Sequence, residues 1–141
     1  MDLFVAIRRN DLQQVKECIK HDVNIHYDKG NALRYAVDNG CFEIVKYLVE
    51  YGTDIHIWND YPLRIAALYG YSDIVKYLVE HGADIHADND YALRWAANKG
   101  HFDIVKYLIP LYNNKEELKT LFFRVNNFYT KFLILEQLYG T

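Results

Sequence analysis

Between Tyr61 and Gly70 the apolar residues Leu63, Ala66 and Ala67 recur at i, i+3 and i+4, one face of a short helix. From Asp73 to Glu80 the apolar set is Ile74, Val75, Leu78 and Val79, again one helical face. Asp73, Lys76 and Glu80 can pair on its wet side. Gly82 follows, a residue that takes the left-handed conformation of a helix C-cap without steric cost. The stretch Ala83 to Asp90 is too short for a helix and ends in Asp88-Asn89-Asp90, so it predicts an extended arm running into a tight turn. The pattern is therefore helix, turn, helix, arm.

That pattern repeats. Gly40, Gly70 and Gly100 are thirty residues apart, as are Leu33, Leu63 and Leu93, then Arg34, Arg64 and Arg94, and the Ile-Val-Lys-Tyr-Leu strings that begin at Ile44, Ile74 and Ile104. Residues 31–60 and 61–90 are identical at 17 of 30 aligned positions. The register runs back through Ile25, Val15, Ala6 and Leu3, with Asn10 and Asp22 where later copies carry glycine. One copy cannot bury both of its helix faces, so neighbours must stack on a shared core. The expected layout is one domain: an N-terminal capping repeat (1–30), repeats at 31–60, 61–90 and 91–112, and degenerate capping helices over 113–141.

The two ends differ in character. The first repeat offers Arg8, Arg9, Gln13, Gln14, Lys16, Glu17 and Lys20 to water, as an end unit should. At the other end Pro110 stands where Glu50 and Glu80 stand and should stop its helix. Beyond it, Asn114 with Glu117 has the spacing of a capping box, and helices are expected near 115–124 and 127–138. The second of these carries Phe128, Phe132, Leu133, Leu135 and Leu138, enough apolar surface to require either the third repeat or a partner.

Composition narrows the function classes. With 51% hydrophobic and 25% charged residues in 141, the chain has the make-up of a soluble globular protein. A net charge of −3 gives no footprint for nucleic acid. No window approaches the ~18 apolar residues of a membrane span, and Asp2, Arg8, Arg9 and Asp11 break any apolar leader, so a cytoplasmic location is expected. Cys18 and Cys41 are too few and too far apart for a disulfide framework or a C-x-x-C site.

The strings Ala92-Leu93-Arg94-Trp95-Ala96-Ala97, Gly100-His101-Phe102-Asp103-Ile104-Val105-Lys106-Tyr107-Leu108 and Gly82-Ala83-Asp84-Ile85-His86 resemble the ankyrin repeat. The resemblance implies an all-α ankyrin-repeat solenoid of stacked helix-turn-helix units, with short extended or hairpin connections and a helical C-terminal cap. Three departures stand out. The period is thirty and not about 33, so the projecting hairpin should be short. Tyr61-Pro62-Leu63-Arg64 replaces the family's Thr-Pro-Leu-His, and His26, His56 and His86 replace its Asn. This style is similar to the short-repeat ankyrin proteins of mimivirus-like giant viruses, which would place the chain in the cytoplasm of a host cell.

The family resemblance implies binding of a partner protein through a concave groove lined by the turns and first helices. Specificity belongs where the copies differ, so the expected contact residues are Ile57, Trp58, Asn59, Tyr61, Leu68, Tyr69, Asp88, Tyr91, Asn98 and Lys99, with Trp58 at an aromatic centre. The three histidines invite a metal site. Stacked equivalents lie about 8 to 10 Å apart, however, too far for one ion to bind two of them. They are expected instead to hydrogen-bond the backbone of the next repeat, and Arg64 and Arg94 to pair with the turn acids Asp60 and Asp90. No Gly-rich phosphate loop, H-E-x-x-H or G-x-S-x-G motif is present, so no catalytic residue, cofactor or metal is assigned. A monomer is expected. The alternatives are a viral adaptor or decoy that recruits host ubiquitin-ligase or signalling machinery, and a structural element that self-assembles through an unsealed end.

Overall fold

The computed structural model describes residues 2–21 and 25–140, without the side chains of 25–28, so the expectations for Asp22 and the His26 side chain lie outside the described residues. The helices run in pairs: α1 (Leu3–Arg8) with α2 (Leu12–His21), α3 (Ile25–Asp38) with α4 (Phe42–Glu50), α5 (Ile57–Tyr69) with α6 (Ser72–Glu80), and α7 (Ala87–Lys99) with α8 (Phe102–Leu108). A 3₁₀ turn at Ile109–Leu111 holds Pro110 and separates α8 from the last pair, α9 (Lys115–Arg124) and α10 (Phe128–Tyr139). The class is all-α, with no strand among the described residues.

One hydrophobic core runs the length of the stack, from Ala6 to Leu138. Its composition changes across the width. The first helices contribute Ala36, Ala66, Ala67, Ala96 and Ala97, all buried, whereas the second helices contribute Ile44, Val45 and Leu48 and their equivalents. Small residues let backbones approach, and neighbouring first helices pack more closely on one another than neighbouring second helices do. Leu48, Leu78 and Leu108 are fully buried at equivalent positions, so truncating any one to Ala costs about 2 to 5 kcal/mol.

Helix ends explain how the repeats are stitched. Asp2, Asn114 and Asn127 cap α1, α9 and α10 with their side chains. The capping box at Asn114 is only half made, because its oxygen accepts from the Glu116 amide at 2.8 Å while the Glu117 carboxylate lies 3.7 Å from His86. The second helices α4, α6 and α8 have no side-chain cap. Their preceding residues reach instead into the earlier repeat: Cys41 Sγ to the Ile7 carbonyl at 3.4 Å, the Tyr71 hydroxyl to the Asp38 carbonyl at 3.5 Å, and His101 Nε2 to the Leu68 carbonyl at 3.0 Å. Gly40 and Gly70 make room for this. A Cβ on Gly70 would come within 2.7 Å of the His101 ring, and one on Gly40 within 2.8 Å of the Tyr71 ring.

Candidate partner-binding surface

The connections between repeats are not extended arms. After Ala83 and Asp84 the chain turns at once, and Asp88, Asn89 and Asp90 all take left-handed backbone angles, with φ of 55°, 56° and 60°. Trp58, Asn59 and Asp60 do the same at 50°, 57° and 55°. Three successive left-handed residues form a compact turn that occupies fewer residues than a β-hairpin, which accounts for the thirty-residue period. Asn and Asp tolerate this conformation, but for a Trp it costs on the order of 1 kcal/mol or more.

The turns are held by their own side chains. Arg64 Nε donates to the Asn59 carbonyl and its Nη2 to the Trp58 carbonyl, both at 2.8 Å. Arg94 repeats the grip on Asn89 at 2.7 Å and on Asp88 at 3.4 Å. The expected pairing of these arginines with Asp60 and Asp90 is thus replaced by bonds to main-chain oxygens, since three left-handed residues turn their carbonyls away from any helix ladder. Arg64 also lies 3.6 Å from Asp88 in the following turn.

Asp60 and Asp90 have other partners. Buried Asp60 takes His56 Nδ1 at 3.1 Å and, across the repeat boundary, the Asp84 amide at 2.7 Å. Asp90 takes His86 Nδ1 at 2.9 Å and the buried Tyr112 hydroxyl at 2.7 Å. His56 and His86 therefore bond the acid of their own turn and not the next repeat's backbone. It is the carboxylate of Asp60 that reaches across. Burial first, then the Asp90 carboxylate, holds the Tyr112 hydroxyl far above the ordinary tyrosine range. Among the described residues no group of three or more His, Cys, Asp or Glu is placed to hold a metal ion.

On the side of the first helices, rings and cations form a continuous row. Trp58 meets Tyr61 edge-on at 6.2 Å, and Arg64 lies 5.8 Å from the Tyr61 ring and 5.1 Å from Tyr91. Tyr91 packs on Trp95 at 5.8 Å, and Lys99 caps Trp95 at 5.9 Å. These separations are within the range of attractive ring and cation–π contacts. A cleft of about 500 Å³ opens beside the row, walled by Leu68, Tyr69, Tyr91, Trp95, Lys99 and His101. A second, of about 190 Å³, lies between Arg94, Trp95, Asn98, Arg124 and Asn126.

A family model described as ankyrin repeats (3 copies) matches residues 3–59 and 56–120. The chain belongs to the ankyrin-repeat family. Ankyrin repeats are in general protein–protein interaction modules. A comparison with curated proteins finds no match. Among the described residues no helix is long and apolar enough to cross a membrane.

Against this ankyrin frame the ten expected contact residues divide. Leu68, Tyr69, Tyr91 and Lys99 share the larger cleft, and Asn98 borders the smaller. Trp58 is 53% exposed and Tyr69 52%, so neither ring is spent on the core. Asn59 and Asp88 are exposed, with the Asn59 carbonyl held by Arg64 and the Asp88 carboxylate beside it. Ile57 and Tyr61 are half-buried and pack on the core, Tyr61 donating its hydroxyl to Asp38 at 2.9 Å, so both are partly scaffold. Sequence comparison missed Trp95, which lines both clefts, and Arg124, which no register relates to the repeats.

Proposed function

We propose that this ankyrin stack is a non-catalytic module that binds a partner protein along its first-helix side, with the row from Trp58 to Lys99 as the contact surface. One observation carries the reading: aromatic side chains that the core does not need, Trp58 and Tyr69 above all, stand exposed beside a cleft walled by Tyr91 and Trp95. Aromatic residues next to partly desolvated cations are the type that dominates interface energies. Lys99 gives the same surface a positive component, which favours a partner segment carrying an acidic residue beside an apolar one.

The test compares the wild-type chain with a Trp58→Ala, Tyr69→Ala double variant in affinity capture and then in titration against each captured protein. Both side chains are half exposed, so the double variant should keep the wild-type unfolding midpoint. Loss of a captured partner, with affinity down about 30-fold or more, supports the reading. Equal capture by the two proteins would place the binding surface elsewhere.

A further inference from the structure

The last helix ends the stack with its apolar side outward. Phe128, Phe132, Leu135 and Tyr139 follow one another at spacings of four, three and four, the seam of a helix that packs lengthwise on another helix. All four are in water: Phe128 is 88% exposed, Tyr139 71%, Phe132 51% and Leu135 43%. Phe123, 80% exposed on α9, extends the patch, and a cleft of about 260 Å³ runs between it and Leu135, Leu138 and Tyr139. At about 200 Å² for each large side chain, these five leave on the order of 600 to 700 Å² of apolar surface uncovered, above what a monomer ordinarily shows. A specific interface buries about 800 Å² on each partner, so the patch with its rim has the area of one half of a stable dimer.

We propose that this face pairs with the same face of a second copy, giving a closed two-fold dimer joined through α9 and α10, in place of the expected monomer. Two features select a second copy. The rim carries both signs, since Lys119, which walls the cleft, pairs with Glu116 at 3.1 Å, so two copies meet without a field of like charge. The opposite end of the stack offers no match. Among its described residues no large hydrophobic is exposed before Tyr51, and the outward residues of α1 and α2 include Arg8, Arg9, Gln13, Lys16 and Lys20. Head-to-tail growth would press apolar rings onto that polar end, whereas a two-fold contact buries both apolar faces and stops.

Sedimentation equilibrium of the 141-residue chain across low to high micromolar concentration tests this, with Phe128→Glu and Phe132→Glu made separately. The wild type should sediment as a reversible dimer. Each substitution should raise the dissociation constant about 100-fold or more, because a carboxylate would enter an apolar contact unpaired. Both positions face water in the single chain, so circular dichroism and the unfolding midpoint of the dissociated protein should be unchanged. Trp58→Ala, far from the patch, should leave the dimer intact. A wild type that stays monomeric, an assembly that grows past two copies, a dimer indifferent to both glutamates or one equally weakened by Trp58→Ala would each overturn the proposal.

Discussion

The turn at 57–60 reads Ile-Trp-Asn-Asp and the turn at 87–90 reads Ala-Asp-Asn-Asp, yet their backbones agree in φ and ψ to within 5° at every left-handed residue. What the two share is Asn, Asp and an arginine four residues beyond the Asp. What differs is the first left-handed position, an exposed Trp58 in one and an exposed Asp88 in the other. The shared residues fix the geometry: the arginine satisfies the outward carbonyls and the aspartate ties the turn to its neighbour. The first position is then free to vary, and a bulky ring can be displayed there although its backbone conformation is unfavourable. The turn is a holder, and its occupant differs from repeat to repeat.

The largest effect should come from removing the tie. Asp60→Ala leaves the Asp84 amide without its 2.7 Å acceptor and releases His56. Stranding this part-buried donor, together with the loss of the charge-assisted bonds of a buried carboxylate, costs about 3 kcal/mol in denaturant unfolding. A loss below about 1 kcal/mol would mean that the carboxylate does not anchor the turn.

The arginines sharpen the comparison. Arg64 makes two short bonds to carbonyls, has a side chain only 15% exposed and lies between two tyrosine rings, whereas Arg94 makes one short bond and one of 3.4 Å. Arg64→Ala should therefore cost about 2 kcal/mol and Arg94→Ala about 1. Equal losses in matched urea titrations would show that the clamp is not what separates the two turns.

The helix pairs were legible because burial imposes the 3.6 period on every copy, and Leu63, Ala66 and Ala67 could be read as one face without coordinates. Gly82 and Pro110 likewise announced their ends. The left-handed turns were not read, because Asp88-Asn89-Asp90 suits several tight turns and the choice among them is made by Arg94, six residues from Asp88. The stitching position was hidden for a different reason. Cys41, Tyr71 and His101 share one task, reaching a carbonyl of the preceding repeat, but three unlike residues at one register leave no identity to notice. On α10 the apolar content was plain, and only the stack shows that Phe128 and Phe132 face out while Ile134 faces in.

The smallest expected effect is the one that best separates scaffold from display. In Trp58→Gly the left-handed φ of 50° becomes a conformation the residue adopts freely, and the lost ring was 53% exposed. Glycine also makes the unfolded chain more flexible, which opposes the gain. The relief is on the order of 1 kcal/mol and the opposing entropy is of similar size, so the unfolding midpoint should stay within error of wild type or rise slightly. Binding along the row from Trp58 to Lys99 should nonetheless weaken, because the aromatic end of that row is gone while Arg64 still holds the turn. Asp88→Gly, at the equivalent position, gains less relief because Asp tolerates the left-handed region, and it removes a carboxylate 3.6 Å from Arg64. It should thus be the less stable of the two glycine variants, by about 1 kcal/mol, while the aromatic end of the row stays in place. A clear destabilisation by Trp58→Gly alone would show that the ring supports the turn, and that the first position is not free after all.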